Sequence, residues 1–259
     1  LERISAMEQM DKERWSSMAD CYDRMADYLV PRYHMLQDEV IALLLSECKP
    51  ELIVDLGGGS GIFIEKILDA SPSSRAVWVD SSEDFRRVAT KRLGRFGERV
   101  VFVACAFEDN WQAALPEAPD AICSMSAIHH LDTAGKRRFY SSCFETLRPG
   151  GWFYNIDEMS TLYDDAYRRT LAYWIRHVAD ARANVPPELK PYASAWCEKF
   201  DGWRKRNVEN IGQPKQPGDD IHESFVSQME WLREIGFVNV DLFIKFQLWS
   251  AIGGQKPAT

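Results

Sequence analysis

Short apolar runs alternate with stretches in which apolar residues recur every three or four positions, from about residue 52 to residue 158. The runs predict five strands, near 52–56, 75–79, 99–104, 121–126 and 152–158. Helical spacing follows most of these runs. Strands and helices in alternation are typical of a parallel sheet with helices on both faces. We therefore predict an α/β fold with a doubly wound sheet.

The chain on both sides of this region follows other patterns. Apolar residues at helical spacing, interrupted at Pro31, predict an N-terminal helical cap over residues 1–50. Residues 160–218 are rich in helix formers, aromatic residues and arginines, and we interpret them as a helical lid insertion. Its basic and aromatic side chains could contact substrate, but we expect most of them to be core and surface of a helical subdomain. A last helix and two closing strands, near 238–245 and 246–253, complete a domain over 51–259.

A cluster of glycines follows the first predicted strand. Asp55 ends the strand, Gly57, Gly59 and Gly61 follow, and a helical pattern begins directly afterwards. Glycines allow a sharp turn and a close approach of the main chain to a ligand, and the free amides of the next helix point at that ligand. The turn therefore predicts a nucleotide site at the carboxyl end of a parallel strand. Because a dinucleotide fingerprint places its third glycine three positions after the second, this spacing disfavours an NAD-dependent oxidoreductase.

The second predicted strand ends at Asp80, 19 residues beyond Gly61. An acid at this place binds ribose hydroxyls in Rossmann-like sites. The alternative is a cap of the following helix. We expect Asp80 to bind ribose and either Ser81 or Ser82 to be the cap.

Two adjacent histidines, His129 and His130, follow the fourth predicted strand, and the fifth ends in Asp157 and Glu158. Neighbours in sequence rarely converge on one ion, and no third ligand lies at a usable spacing, so no metal is expected. His129 could act as a general base near neutral pH or have a structural role. Either acid could orient a substrate or cap the next helix.

Taken in order, these motifs resemble those of class I S-adenosylmethionine-dependent methyltransferases. The resemblance rests on D-x-G-x-G-x-G at 55–61, the acid at position 80, H-H-L at 129–131, L-R-P-G-G at 147–151 and L-x-x-x-G-F-x-x-V at 232–240. It covers 51–158 and 219–256. It implies a Rossmann-like sheet of seven strands, mostly parallel with an antiparallel last strand, and S-adenosylmethionine as the cofactor.

The resemblance also implies roles for individual residues. The expected cofactor contacts are Asp55, Gly57, Gly59, Gly61, Asp80, Ser81, Phe107 and Ser124. The catalytic candidates are Tyr22, His129 and Glu158. Where the family has glycine-aspartate-hydrophobic after the third strand, this chain has Cys105-Ala106-Phe107. Whether Glu108 or Asp109 receives the adenine amino group therefore stays open.

The implied reaction is methyl transfer to a small molecule, achieved mainly by alignment, with a base needed only for a protonated nucleophile. Whether the acceptor atom is O, N, S or C is open. One alternative is a cofactor-modifying enzyme that resembles the carboxy-S-adenosylmethionine synthases. It needs a cation for a carboxylate, for which the candidates are Arg32, Arg204, Lys205 and Arg206. A second alternative is a non-catalytic subunit that binds S-adenosylmethionine.

The composition of the chain limits the classes of binding partner that we expect. A net charge of -8 argues against broad nucleic-acid binding. No apolar run approaches the length of a membrane span, and the first residues lack a signal-peptide core. The six cysteines are scattered, without a C-x-x-C pair, as in a reducing compartment. We expect a cytoplasmic protein that acts on a small-molecule substrate away from membranes, with a homodimer as an open alternative to a monomer.

Overall fold

A seven-stranded sheet forms the centre of the computed structural model, which describes residues 18–214 and 219–258. The strands lie in the order β3-β2-β1-β4-β5-β7-β6. Their bounds are β1 Leu52–Leu56, β2 Arg75–Asp80, β3 Val100–Ala104, β4 Ala121–Met125, β5 Trp152–Glu158, β6 Val238–Phe246 and β7 Trp249–Gln255. Strands β1 to β5 pair in parallel, and β7 runs antiparallel to both of its neighbours. The predicted doubly wound α/β sheet with an antiparallel last strand is confirmed.

Eight α-helices surround the sheet in the described part of the chain. They are α1 Tyr22–Leu29, α2 Tyr33–Glu47, α3 Ile62–Ala70, α4 Glu83–Leu93, α5 Thr133–Thr146, α6 Asp164–Asn184, α7 Lys190–Asn207 and α8 Phe225–Ile235. The predicted interruption at Pro31 lies between α1 and α2, where Arg32 has a φ of 66°. The predicted helix before residue 18 lies outside the described residues. None of the helices described is long and apolar enough to cross a membrane.

Both faces of the sheet are covered. Every residue of β1, β4 and β5 is buried, as a parallel sheet between two helical layers requires. Alternate residues of one strand enter different clusters: Ile53 packs with side chains of α1, α2, α6 and α7, whereas Val54 packs with those of α5 and α8. The sheet is therefore the rigid support for the loops at its carboxyl edge.

The insertion between β5 and α8 is held by aromatic packing. The ring of Trp174 lies 4.4 Å from that of Trp203 and 5.1 Å from that of Trp249 on β7. Its indole Nε1 donates to the main-chain oxygen of Leu29 at the end of α1 (2.6 Å). The aromatic side chains at the centre of this insertion are therefore core, and α6 and α7 share one cluster with α1 and α2.

Candidate functional site

The glycine turn is fastened to the end of β2. Gly57 and Gly58 both donate their N–H groups to the carbonyl of Val79 (2.8 and 3.0 Å), and Gly59 donates to Oδ2 of Asp80 (3.0 Å). In return, Nε1 of Trp78 donates to the carbonyl of Gly59 (3.0 Å). Hydrogen bonds to the end of β2 therefore stabilise the conformation of the glycine turn.

Gly57 and Gly59 differ in what surrounds them. Both have positive φ, 77° and 48°, which a side chain would strain. A Cβ on Gly57 would come within 2.5 Å of Ala127 Cβ, so packing already closes that position. A Cβ on Gly59 would meet nothing closer than 3.9 Å. The main chain at Gly59 therefore faces open space, the condition for close approach of a ligand. Gly61, with a φ of 78°, is the N-cap of α3.

Asp55 is buried without a donor. Its side chain is 2 % exposed, and within residues 18–214 and 219–258 no group donates a hydrogen bond to its carboxylate. Burial, with a smaller contribution from the charge of Asp80, raises the pKa of Asp55 to about 7. An ionised carboxylate in this place needs a cation. The ammonium group of S-adenosylmethionine meets that need, so the residues present fit the cofactor that the sequence resemblance implies.

The carboxylate of Asp80 accepts hydrogen bonds from both the glycine turn and the start of the next helix. Its Oδ1 accepts from the N–H of Ser82 (2.8 Å) while its Oδ2 accepts from Gly59. Ser82 is the N-cap of α4, because its Oγ accepts from the N–H of Phe85 (3.3 Å). Of the two predicted caps, Ser82 is therefore the one used. Ser81 is exposed beside Asp80 at the same edge of the sheet.

Two further predicted contacts lie on the other side of the turn. The ring of Phe107 lies 5.0 Å from that of Phe139, and its edge would be 3.2 Å from a Cβ on Gly57. Phe107 is thus next to the turn. Ser124 is fully buried and donates its hydroxyl to the carbonyl of Leu56 (2.7 Å). This side chain joins β4 to β1 and lines no open surface.

The loop after β3 carries Glu108 and Asp109, the two acids of which either could receive the adenine amino group. Oδ2 of Asp109 accepts from the N–H of Ala106 (2.8 Å), so this carboxylate closes its own turn. Glu108 is exposed. Between the two, Glu108 is the side chain without a local hydrogen bond among the described contacts.

Tyr22 lies where α1 meets the glycine turn. Its ring packs edge-on against those of Phe85 (5.6 Å) and Tyr33 (6.3 Å). The next residue, Asp23, accepts from the hydroxyl of Ser60 within the turn (2.5 Å). Burial raises the pKa of Tyr22 well above its usual range, so the phenol stays protonated. The surroundings favour a covering role for Tyr22 over that of a base.

His129 is oriented by Asp157. The main-chain N–H of His129 donates to Oδ2 of Asp157 (2.8 Å), and its Nδ1 lies 2.6 Å from Oδ1. Burial and the nearby His130 lower the pKa of His129, but the carboxylates of Asp157 and Glu158 outweigh both, and the net pKa is raised. Burial likewise raises the pKa of Asp157, but the ion pair with His129 keeps it below the usual value. Nε2 of His129 is left facing away from Asp157.

Glu158 belongs to a second pair. The side chain is 7 % exposed, and its Oε2 lies 2.9 Å from Nε2 of His222. Burial raises the pKa of Glu158 to about 8, against the opposing charge of His129 and with added repulsion from Asp220 and Asp157. Predicted candidates His129 and Glu158 are therefore brought together at the carboxyl ends of β4 and β5.

Residues 219–223 cover this pair, and sequence reasoning missed their part in the site. Oδ1 of Asp220 lies 3.4 Å from Nδ1 of His130 and 3.9 Å from Nε2 of His129. Asp220 is therefore a third potential ligand near the two histidines, which spacing along the sequence does not reveal. His222 lies in the segment just before α8, which begins at Phe225.

A buried lysine fastens this segment. Nζ of Lys136 donates to the carbonyl of Leu131 (2.6 Å) and to that of Ile221 (2.7 Å). The N–H of Ile221 also donates to the carbonyl of His129 (2.9 Å). Burial lowers the pKa of Lys136 to about 8. The histidine loop and the 219–223 segment are thus held as one unit.

The four cations predicted for a carboxylate differ in their surroundings. Arg206 bonds to Asp219 (2.9 Å), and Arg204 lies 4.0 Å from Asp201. Lys205 is exposed. The guanidinium of Arg32 lies 5.6 Å from the ring centre of Phe246.

Comparison with known proteins finds a family match and several relatives that are enzymes. Residues 53–151 match the family described as methyltransferase domain. Carboxy-S-adenosyl-L-methionine synthase 1 of Yersinia pseudotuberculosis is 23% identical over 189 residues, which are 66% of this chain and 76% of the synthase. Trans-aconitate 2-methyltransferase of Acidovorax sp. is 31% identical over 150 residues. That match covers 54% of this chain and 53% of the relative, so the chain spans about half the length of that enzyme.

Solved structures show a similarity of fold. An O-methyltransferase family protein from Burkholderia thailandensis superposes with a TM-score of 0.59 at 17% identity, covering 95% of this chain and 60% of the other. At this identity the likeness concerns the fold alone. It agrees with the family match over the region that holds the glycine turn and the histidine loop. Residues 53–151 are therefore similar to the methyltransferase domain family, and the fold of the chain is that of known methyltransferase structures.

Proposed function

We propose that the protein transfers a methyl group from S-adenosylmethionine to a small-molecule acceptor. Asp55 would hold the ammonium group, the main chain at Gly59 would face the methionine part, and Asp80 would accept from the ribose hydroxyls, with Phe107 and Ser81 at the edges of the site. The sulfonium of the cofactor supplies an electrophilic methyl group. The observation that carries the proposal is the buried carboxylate of Asp55, which accepts no hydrogen bond from the described residues, beside an open glycine turn.

The acceptor side of the proposal rests on His129 and Glu158. Asp157 fixes the ring of His129 through Nδ1 (2.6 Å), so Nε2 is the nitrogen that can contact an acceptor or take its proton. Glu158, at the end of β5, would orient the acceptor from the other side. Tyr22 would cover the cofactor. A cytoplasmic location and a homodimer stay predictions.

A cofactor-modifying enzyme is the second candidate, because the similarity to a carboxy-S-adenosyl-L-methionine synthase spans 76% of that protein. Of its four candidate cations, Arg206 pairs with Asp219, whereas Nε of Arg204 is buried and has no hydrogen-bond partner among the described residues. Arg32, Arg204 and Lys205 therefore stay candidates for the role. Native mass spectrometry of the purified protein separates the candidates. S-adenosylmethionine or its demethylated product supports methyl transfer, and a carboxylated form supports the alternative.

Calorimetric titration with S-adenosylhomocysteine tests the cofactor site. Gly59→Val would place a side chain in the open space of the turn and should abolish measurable binding. Gly97→Val is the matched control, because Gly97 also has positive φ (57°) and a Cβ added there would meet nothing within 4 Å. It places a valine at a positive φ outside the glycine turn and, once shown to be folded, should bind as the wild type does. Equal binding by both folded variants, or no binding by the wild type, would refute the assignment.

A further inference from the structure

Five side chains of the types that bind metal ions lie close together at the carboxyl end of β5. They form two groups that share Asp220: His129, His130 and Asp220 in one, and Glu158, Asp220 and His222 in the other. Within each group, one ligand atom per residue lies within 4.8 Å of the others. They come from three separate parts of the chain, the β4 loop, the end of β5 and the segment before α8. Such convergence of imidazole and carboxylate donors is the composition of a transition-metal site.

We propose that Glu158, Asp220 and His222 bind a divalent transition-metal ion. Oε2 of Glu158 lies 2.9 Å from Nε2 of His222, and the ligand atoms of all three residues lie within 4.8 Å. In a tetrahedral site with bonds of about 2.1 Å, ligand atoms are separated by ~3.4 Å. The three donors can therefore reach one ion through side-chain movements on the order of 1 Å. Two carboxylates and one imidazole suit Zn²⁺, Mn²⁺, Fe²⁺ or Co²⁺.

This group is better built for an ion than the one with His130. The side chains of His222 and Glu158 are 2 % and 7 % exposed, whereas that of His130 is 44 % exposed. His129 and His130 are also adjacent in the chain, which rarely lets both rings reach one ion. The buried group has the dry surroundings in which ligand geometry is held.

The surroundings of His222 match those of a metal-bound imidazole. Its Nδ1 lies 2.7 Å from the hydroxyl of Tyr167 on α6, so the ring is fixed with Nε2 towards the two carboxylates. Metal-ligating histidines characteristically use their second nitrogen in this way. Lys136 and the Ile221 main chain hold the segment that carries Asp220 and His222. The ligands are thus positioned by contacts that do not involve the ion.

A Co²⁺ titration of tag-free protein stripped with chelator tests the site. We expect one Co²⁺ per chain, with visible absorption bands that Zn²⁺ abolishes by displacement. His222→Ala and the nearly isosteric Asp220→Asn should each weaken binding by about 100-fold or more, and Tyr167→Phe by about 10- to 100-fold. His130→Ala is the matched control in the competing group and should retain binding.

The proposal is overturned if the folded wild-type chain takes up no Co²⁺. It is also overturned if His130→Ala removes binding while His222→Ala and Asp220→Asn keep it. Circular dichroism spectra of the variants establish folding, and Asp220→Asn serves where His222→Ala does not fold. No cofactor is present in the titration, so a negative result leaves the proposed methyl transfer untouched.

Discussion

The charge of Asp55 should make the cofactor-free protein less stable as the pH rises. The carboxyl is 2 % exposed, and its pKa is raised from 3.8 to about 7 by burial and then by Asp80. Between these two values the folded chain holds a proton that the unfolded chain has released. The free energy of unfolding therefore falls as the pH rises from 4 to 7, and the loss is complete above the folded pKa. Asp55→Asn keeps the shape of the side chain and removes the charge.

The size of the effect follows from the shift. A change in pKa from 3.8 to about 7 corresponds to about 4 kcal/mol. Asp55→Asn should thus leave stability almost unchanged at pH 4 and raise it by up to about 4 kcal/mol at pH 8. For a chain of this length that is on the order of 10 °C in Tm. The other titratable groups whose pKa involves Asp55 are the Cys123 thiol and the Tyr33 phenol, and both stay protonated over this range because burial raises their pKa.

The assay is thermal and urea unfolding of cofactor-free wild type and Asp55→Asn at pH 4, 6 and 8. Asp120→Asn is the matched control at a second buried aspartate. Oδ2 of Asp120 accepts from the N–H groups of Glu51 and Leu52 (2.8 and 2.7 Å), and Oδ1 pairs with Arg148. Its loss should therefore destabilise by about 1–3 kcal/mol. The reasoning about Asp55 is refuted if its variant shows the same difference from wild type at every pH.

The same variant links stability to binding. Because the ammonium group of the proposed cofactor would compensate the charge of Asp55, the neutral variant should bind S-adenosylhomocysteine about tenfold or more weakly. The calorimetric readout is independent of the unfolding curves. A more stable protein with full affinity would show that Asp55 does not meet a cation.

Three further substitutions probe the supports of the site. Trp174→Ala removes a buried ring and the hydrogen bond to Leu29, and should cost about 3–5 kcal/mol in urea unfolding; a cost under 1 kcal/mol would mean that the insertion is not held by this cluster. Ser82→Ala removes the cap of α4 and should cost about 1 kcal/mol, with Ser82→Asp close to wild type. Lys136→Met leaves two partly buried carbonyls without their donor, and should raise hydrogen exchange over 219–223 before other regions; uniform exchange would show that Lys136 does not hold this segment.

The fold was predictable because its signals are local. The apolar runs of β1 to β5 are fixed by residues adjacent in sequence, and the glycine turn carries its conformation in the same few positions. The ends of elements were less exact. The first closing strand, Val238–Phe246, ends one residue later than predicted, and the second, Trp249–Gln255, starts three and ends two residues later. Turn residues 247 and 248 lie between two apolar segments that periodicity alone does not separate.

The proposed acceptor side of the site was only half predictable. His129 follows the fourth predicted strand and Glu158 ends the fifth, so their proximity follows from the parallel order of β4 and β5. Asp220 and His222 carry no such signal, because they stand in a short irregular segment. Their place is set by the Lys136 clamp and the main-chain bond from Ile221 to His129, contacts between parts of the chain more than 80 residues apart. Likewise, the hydroxyl of Ser124 is used within the sheet, which a motif cannot show.

The order of the strands explains why both halves of the site lie where they do. From β1 the chain moves outwards to β2 and β3, and then returns to place β4 on the other side of β1. The connections leaving β1 and β4 therefore diverge, and a crevice opens between their carboxyl ends. Asp55 and the glycine turn line one side of that opening, and the loop with His129 follows β4 on the other. Because the insertion and the 219–223 segment enter after β5, they can alter what meets His129 without disturbing the turn. A variant in the 219–223 segment should accordingly change metal or acceptor binding while the affinity for S-adenosylhomocysteine stays that of the wild type, and a parallel loss of both would show that the two halves are not separate.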